Sequence, residues 1–451
     1  MAGATLGPAL NMIAEGFPRA LGIHTALAQD TDRTDTYRLL SLFGDVFERV
    51  RRDYVDPVSD QKLIENAVNG MLTGLDPHSV YLNAHEFHEL EVEDKGEFSG
   101  IGIEIEQEGG VVRVISPMDN SPAVRAGIKA GDTIIGLNGK SVLGLSTERM
   151  NDQLRGPPNT SITLTINRVG VDHPLIFRLR RETIHLQVVK QRLESDRIGY
   201  VRITEFTDPA DAALEHAIRS LKRQAGGKLK ALVLDLRDNP GGLFDQALAV
   251  ARKFIPHGEI VSTRAHDSED SAWVAGKGTD ILGGAPIVVL INSGSASASE
   301  VVAGALQDHH RAVLVGARSF GKGSVQATIP LAGGGGMLLT VARYYTPSGR
   351  SIQGRGIVPD VLVAEGDDEV PQFDPEHEAN LNHVISNSGG TPDNDDPPRT
   401  DLPPIAKTIP NRPSKGFPAF DAAKPETDFQ LQQALLLARA MATAEKPAPA
   451  N

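Results

Sequence analysis

The feature that most constrains the fold is a regular alternation of apolar runs and amphipathic segments between about residues 198 and 363. The short runs are rich in Val, Ile and Leu and predict buried strands, whereas the segments between them repeat apolar residues at helical spacing. Strands are predicted at 198–206, 229–236 and 285–291, and helices at 209–224, 243–254 and 300–306. Such alternation predicts an α/β core, residues 184–364, with a mostly parallel sheet and helices on its faces.

Two further regions precede this core. Residues 36–92 predict a small helical module, because apolar residues share one helical face between Tyr37 and Tyr54 and Ser59 can cap a second helix. Residues 93–183 contain short β runs separated by glycine turns, with one helical piece at 147–154. We therefore expect a multidomain protein in which a β-rich domain is inserted between the helices and the core.

Two regions follow the core. Residues 365–426 are acidic and rich in Pro, Asn and Gly, a composition that predicts a disordered linker. Residues 427–444 predict a last amphipathic helix. Its apolar stripe is expected to pack on the body of the protein or on a second subunit, and we favour the body.

Composition excludes several classes of function. The net charge of -13 argues against a nucleic-acid binder, which needs a basic face. The chain has no cysteine, so it has neither disulfides nor a thiol nucleophile nor a cysteine-based zinc site. With 40% apolar and 23% charged residues, the composition is that of a soluble globular protein.

The first 28 residues resemble a degenerate export signal. They end in a small-x-small pattern at Ala26 and Ala28, but they lack a basic beginning and their apolar stretch is interrupted. The alternative is a disordered N-terminus. No later apolar run reaches the length of about 18 residues that spans a bilayer. We expect an exported protein, periplasmic or otherwise, that is soluble and at most membrane-associated.

A serine-rich segment follows the predicted strand 285–291. Residues 292–300 read Asn-Ser-Gly-Ser-Ala-Ser-Ala-Ser-Glu and lead into a helix. A hydroxyl there lies at the carboxyl end of a strand, where open α/β sheets place their sites, and beside the positive end of a helix. One of these serines is a candidate nucleophile, although spacing alone does not separate Ser297 from Ser295 or Ser299.

The nucleophile needs a base to accept its proton. None of the 13 histidines lies in a sequence context that indicates a catalytic role. The G-x-S-x-G motif of a nucleophile elbow is also absent from the sequence, so a histidine triad is disfavoured. Lys322, in Ser-Phe-Gly-Lys-Gly-Ser-Val-Gln, is the better candidate. Its pKa must fall from ~10.4 to about 7 or 8, which corresponds to stabilising the neutral amine over the ammonium by roughly 4 kcal/mol. No acid lies between Asp308 and Gln326, and the Gln326 amide can orient the amine without adding charge.

The lysine segment also matches the beginning of a phosphate-binding loop. Residues 316–322 satisfy most of G-x-x-x-x-G-K, but the next residue must be Ser or Thr and is Gly323. A nucleotide-binding function is therefore a weak alternative.

The inserted region resembles a PDZ domain. The resemblance rests on Gly-Ile-Gly-Ile at 100–103, followed by 121–128 and 130–139. A carboxylate would be bound by backbone N–H groups of Gly100, Ile101, Gly102 and Ile103. The strand edge and the helix at 147–154 would form a groove for a peptide strand.

Four motifs together resemble the C-terminal processing peptidases, also called tail-specific proteases. They are the serine segment, the lysine segment, Leu-Arg-Asp-Asn-Pro-Gly-Gly at 236–242, and the stretch 345–360. The resemblance covers about residues 37–364. It implies a catalytic Ser297, Lys322 and Gln326, and an oxyanion hole from the N–H groups of Ala298 and of Gly241, which is favoured over Gly242. In related proteases an arginine at the place of Arg155 links the PDZ domain to the active site, and the alternative is that Arg155 is a solvated arginine of the β domain.

This resemblance implies an exported serine endopeptidase that recognises protein tails through the PDZ domain and cleaves them through an acyl-enzyme. Its partners would be proteins with accessible C-termini, an activating adaptor and further copies of the same chain, but no nucleic acid. Neither a metal nor a cofactor is expected. The alternative is a PDZ scaffold with a latent or inactive protease core.

Overall fold

The computed structural model describes residues 30–108, 111–145, 147–266, 269–276, 278, 280–366, 377–387, 399–421 and 424–443. The predicted signal segment, 1–28, lies outside these residues. Two compact units are present: residues 90–187 form one, and the residues before and after them form the other. The β-rich domain is thus an insertion, as the sequence predicts.

The chain begins its described part with helices. In order, the elements are α1 (Asp30–Asp53), α2 (Asp60–Thr73), β1 (Val80–Leu82) and α3 (Ala84–Asp94). The predicted cap of the second helix is confirmed, because the Ser59 hydroxyl accepts the N–H group of Lys62 at 3.2 Å. This bond satisfies one of the N–H groups that a helix start leaves without a partner.

The inserted unit is a small β domain. Its elements are β2 (Glu97–Gly100), β3 (Ile103–Glu108), β4 (Val111–Pro117), α4 (Pro122–Ala126), β5 (Thr133–Leu137), β6 (Lys140–Ser141), α5 (Thr147–Leu154), β7 (Ser161–Asn167), β8 (Leu175–Arg180) and β9 (Glu182–His185). The main sheet has the order β3-β4-β5-β7-β8, so β3 is an edge strand, and α5 packs beside it. Buried residues such as Met150, Leu164 and Ile166 form the core of this unit.

The second unit contains the predicted parallel sheet. The strands of this part of the chain are β10 (Val189–Glu194), β11 (Ile198–Ile203), β12 (Ala231–Asp235), β13 (Glu259–Ala265), β14 (Ser271–Val274), β15 (Ile287–Ile291), β16 (Ala312–Gly316), β17 (Ser324–Pro330), β18 (Gly336–Tyr345) and β19 (Val361–Leu362). The sheet order is β10-β11-β12-β15-β16-β19, and every neighbouring pair except β10 with β11 is parallel.

Helices cover both faces of this sheet. They are α6 (Ala210–Gln224), α7 (Phe244–Arg252), α8 (Ala298–Asp308) and α9 (Phe429–Thr443). One face presents Val233, Leu290 and Val315 to Phe429 and Leu435 of α9. The alternate strand residues face the other side, because side chains in a strand alternate. The predicted last helix thus packs on the body of its own chain.

The remaining strands form a second, antiparallel sheet. Its order is β1-β18-β13-β14, and β17 pairs with β18. The apolar runs at 324–329 and 337–345, which the sequence also predicts to be β strands, are β17 and β18, but they do not extend the parallel sheet. The lysine segment therefore leads from one sheet into the other, since β16 ends at Gly316 and β17 begins at Ser324.

The prediction of a disordered linker at 365–426 needs a correction. Its described parts include short 3-10 turns at Glu378–Asn380, Pro404–Thr408 and Pro425–Thr427. Ala406 joins the core beside α9, and the side chain of Glu378 is fully buried. The few residues that pack here do not recur at helical or strand spacing, so the sequence pattern and composition did not indicate that they are buried.

Candidate active site

The turn between β15 and α8 carries the serines. Ser297 is the residue before α8 and has a φ of 52°, a left-handed conformation that is uncommon for a residue with a Cβ atom. Its N–H group donates to Glu300 Oε2 at 2.8 Å, and the Glu300 N–H group donates to the Ser297 carbonyl at 2.9 Å. This reciprocal pair holds the backbone at the start of the helix.

Hydrogen bonds separate the three candidate serines. Ser295 is fully buried, and its hydroxyl donates to the Leu236 carbonyl at 2.8 Å. Ser299 is also fully buried and donates to the Asn239 carbonyl at 2.9 Å. Ser297 is only partly buried. Its side chain belongs to the capping box with Glu300, and within the described residues its hydroxyl donates no hydrogen bond. Ser295 and Ser299 donate their hydroxyl protons to the backbone of the turn after β12, whereas the Ser297 hydroxyl keeps its proton available for transfer to a base.

The Asn-Pro-Gly-Gly turn after β12 lies against the serine. A Cβ atom built on Gly241 would come within 2.9 Å of Ser297 Cβ and 3.1 Å of the Ala298 nitrogen, and the φ of Gly241 is 110°. Glycine is therefore required on both counts. The Gly241 N–H group donates to Asn239 Oδ1 at 2.9 Å. The N–H group of Gly242 donates no hydrogen bond within the described residues.

Glu300 joins the serine turn to the lysine segment. Oε2 accepts the N–H groups of Ser297 at 2.8 Å and of Lys322 at 2.9 Å. Oε1 accepts the Gly321 N–H group at 2.7 Å and the Ser319 hydroxyl at 2.5 Å. Burial raises the pKa of Glu300 to about 7, against the effect of these four donors. A single carboxylate oxygen thus bonds to the backbones of both predicted catalytic residues.

The surroundings of Lys322 differ from the expectation drawn from its sequence neighbours. Burial lowers the pKa of its amine, as a base requires, whereas Glu378, Glu300 and Asp76 raise it. No acid is close to Lys322 in the sequence, but three carboxylates act on its amine in the folded protein. Asp76 lies before β1 and Glu378 after the core, and no local pattern connects either of them with the lysine segment.

Gln326 lies on β17, two residues after Ser324. Its Nε2 donates to Ser324 Oγ at 2.9 Å and to Thr340 Oγ1 at 3.2 Å, and Thr340 Oγ1 donates to Asp76 Oδ1 at 2.9 Å. Within the described residues, Lys322 makes no hydrogen bond to Gln326 or to Ser297.

The local fold argues against a phosphate-binding loop. Such a loop needs a helix directly after the Lys, so that the N-terminus of the helix faces the phosphate. Here the strand β17 begins at Ser324.

The inserted unit contains the predicted carboxylate-binding residues. Gly102 has a φ of 72°, and a Cβ atom there would lie 2.3 Å from Ser121 Cβ. Within the described residues, the N–H groups of Ile101 and Gly102 donate no hydrogen bond. Gly100 ends β2 and Ile103 begins β3, the edge strand beside α5. An unpaired edge next to a helix is the arrangement to which a peptide can add as a strand.

Arg155 follows α5 directly. Its N–H group donates to the Asn151 carbonyl at 2.8 Å, and its guanidinium lies 5.7 Å from the centre of the Phe98 ring. Both contacts lie inside the inserted unit, so the coupling role of Arg155 stays a prediction.

Family models match three parts of the chain in succession. Residues 19–86 match the model described as the activating protease CtpB N-terminal domain, 89–167 match the PDZ domain, and 197–363 match peptidase family S41. A helical module, a PDZ domain and a peptidase core in this order define a PDZ-containing serine-type peptidase.

Individual relatives agree with this class. A carboxy-terminal-processing protease of Bartonella bacilliformis is 52% identical over 332 residues, which are 73% of this chain and 76% of that protein. The carboxy-terminal processing protease CtpA of Bacillus subtilis is 33% identical over 372 residues, 82% of this chain and 76% of that protein. Among solved structures, a photosystem II D1 C-terminal processing protease is 32% identical, with a TM-score of 0.43, covering 72% of this chain and 92% of that one. The chain belongs to the C-terminal processing proteases of peptidase family S41.

Among the described residues, no helix combines the length and the apolar character that crossing a bilayer requires.

Proposed function

We propose that this C-terminal processing protease hydrolyses peptide bonds with a Ser297-Lys322 dyad. The observation that carries the proposal is the Glu300 carboxylate, which bonds the backbones of both residues through one oxygen atom. Two facts support the assignment: within the described residues the Ser297 hydroxyl donates no hydrogen bond, and burial lowers the pKa of Lys322.

In the first step the neutral Lys322 amine accepts the Ser297 proton while Oγ attacks the scissile carbonyl. The tetrahedral intermediate collapses to an ester on Ser297, and the lysine ammonium returns its proton to the leaving amine. Water then attacks the ester with the amine again as base, which releases the acid product and restores the hydroxyl. Gln326 would orient the amine, and this requires its amide to turn from Thr340 toward Lys322.

The oxyanion would be held by backbone N–H groups. Ala298 is the first residue of α8, so its N–H group has no acceptor within the helix. Gly241 is the second donor that we favour, since a Cβ atom built on it would approach both Ser297 and Ala298. Its N–H group must then leave Asn239 Oδ1 when substrate binds. Gly242 remains the alternative donor.

The substrates would be proteins with accessible C-terminal tails. Gly100 to Ile103 would bind the terminal carboxylate through backbone N–H groups, and the tail would pair with β3 next to α5. A peptide whose C-terminus is amidated tests this point, because the amide carries no charge. We expect kcat/KM at least about tenfold below that of the free acid. Equal values for the two peptides would contradict recognition of the carboxylate.

Export and assembly are further parts of the proposal. Tyr37, Leu39, Phe43 and Val46 expose apolar surface on α1, which suits contact with a second copy of the chain or with an activating adaptor. The expected site of action is outside the cytoplasm, in the periplasm or beyond. Fractionation of cells together with light scattering of the purified protein tests both points.

A PDZ scaffold with a latent core is the second candidate. It is favoured by the missing hydrogen bonds from Lys322 to Ser297 and Gln326 and by the engagement of the Gly241 N–H group. Casein hydrolysis by the wild type, by Ser297→Ala and by Ser293→Ala as matched control decides between the two. We expect activity in the wild type and the control only. Equal activity in the wild type and Ser297→Ala would refute the dyad, and inactivity of all three, with or without tail peptides, would support the scaffold.

A further inference from the structure

A short segment beyond the peptidase core packs onto the lysine segment. It is the turn Glu378–Asn380, which lies outside the 197–363 match to the peptidase family. The Glu378 N–H group donates to the Phe320 carbonyl at 3.1 Å, and a Cβ atom on Gly321 would lie 3.0 Å from His377. The segment therefore touches the two residues immediately before Lys322.

The Glu378 side chain is 0% exposed and has hydrogen-bond partners on two sides. His78 Nε2 lies 2.8 and 3.1 Å from its two oxygens, and Gln353 Nε2 donates to Oε1 at 2.8 Å. Gln353 in turn accepts the Gly323 N–H group at 3.0 Å through its own Oε1. A continuous path of hydrogen bonds thus runs from Glu378 through Gln353 to the residue directly after Lys322.

Burial of a carboxylate is costly unless its oxygens are bonded, and here His78 and Gln353 supply the donors. The charge also acts on Lys322. Among the acidic groups that raise the pKa of this amine against burial, Glu378 has the largest effect, followed by Glu300 and Asp76. The segment after the core therefore contributes both a structural anchor and a negative charge to the site.

We propose that Glu378 is a positioning residue for the lysine base, which anchors the Lys322 segment through Gln353 and supplies a carboxylate charge that acts on the amine. The proposal rests on the Ser297-Lys322 dyad and adds to it a residue from outside the peptidase core. The two actions oppose each other at neutral pH: the anchor favours catalysis, whereas the charge favours the ammonium form of the base.

Two substitutions separate charge from anchor in the full-length protein. Glu378→Gln keeps an oxygen for Gln353 but removes the negative charge. Because that charge raises the pKa of Lys322, the rising limb of kcat/KM against pH should move to lower pH, by roughly half a unit to one unit. Gln353→Leu keeps the charge but breaks the link to Gly323. It should lower kcat/KM by about tenfold or more and leave the position of the limb unchanged.

Glu215→Gln is the matched control, because this acid pairs with Lys253 on the surface of the same unit. It should leave both kcat/KM and the pH position of its rising limb unchanged. An unmoved or upward-moved limb in Glu378→Gln, or wild-type rates in Gln353→Leu, would overturn the proposal. Ser297→Ala, measured in parallel, distinguishes this failure from failure of the dyad: an active Ser297→Ala refutes the dyad itself. The melting temperatures establish that each variant is folded, and Gln353→Leu provides an independent test if Glu378→Gln does not fold.

Discussion

The serine turn and the lysine segment reach the same site in different ways. Ser297 follows a central strand of a parallel sheet and directly precedes a helix. Its turn is bonded to the turn at 236–239, which follows the neighbouring strand β12. Lys322 lies in an irregular stretch between two sheets, and its backbone is held by the side chain of Glu300. The charges around it come from Asp76, Glu300 and Glu378. The nucleophile is held by the ends of two neighbouring strands of one sheet, whereas the base depends on contacts among separate elements from before, within and after that sheet.

The comparison predicts first that the base can be removed without loss of the fold. Lys322→Met should reduce kcat/KM by about 10³-fold or more. The melting temperature should stay equal or rise at neutral pH, because the wild type buries an amine whose pKa burial lowers. Enzyme assays and calorimetry measure the two quantities. Lys253→Met, at a surface ion pair of the same unit, should keep full activity, and wild-type rates in Lys322→Met would exclude this lysine as the base.

The serine side should be sensitive to a single added methyl group. Gly241→Ala places a Cβ atom 2.9 Å from Ser297 Cβ, so we expect kcat/KM to fall by about 10²-fold. Gly227→Ala is a matched control, since Gly227 has the same φ of 110° but no atom within 4 Å of the new Cβ. The control should lose stability only, by roughly 1 kcal/mol. Equal losses of activity in the two variants would show that the close contact is unimportant.

Glu300 is where the two regions meet, and Glu300→Gln tests the connection. An amide has one acceptor oxygen in place of two, so some of the four donors lose their partner and activity should fall by roughly tenfold or more.

Stability should also respond to pH. The folded pKa of Glu300, about 7, exceeds its unfolded value of 4.5, so the folded state binds more protons between these values. The wild type should therefore lose about 2 kcal/mol relative to Glu300→Gln from pH 5 to pH 7. Urea denaturation at both pH values measures this difference, and a constant difference would contradict the raised pKa.

The smallest expected effect concerns a contact that joins the serine side to α9. Arg237, just before the glycine turn, is buried with Asp235 and bonds Asp428 at the start of α9. Asp428→Asn should reduce the free energy of unfolding by about 1–2 kcal/mol and leave kcat/KM nearly unchanged, because Asp235 still pairs the guanidinium. Asp401→Asn, at the more exposed Arg399 pair, should stay within about 0.5 kcal/mol. A large loss of activity in Asp428→Asn would show that the serine side also depends on its contact with α9.

The same difference explains what the sequence could predict. Strand and helix periods are local, so the parallel sheet, the inserted domain, the Ser59 cap and the turn that carries Ser297 could be predicted from neighbouring residues. The family resemblance added which serine and which lysine to consider. The acids around Lys322 could not be predicted, because Asp76 and Glu378 approach it only through tertiary packing. The buried parts of 365–426 were missed for the same reason, since isolated packing residues leave no periodic signal.

The position of α9 has a consequence for synthesis on the ribosome. Among the described elements it is the last, yet it covers the face of the sheet formed by Val233, Leu290 and Val315. A nascent chain therefore carries every strand of that sheet before it carries the helix that shields them. During this interval the apolar face has no cover and Arg237 lacks Asp428, so newly made chains pass through a stage that is prone to aggregation.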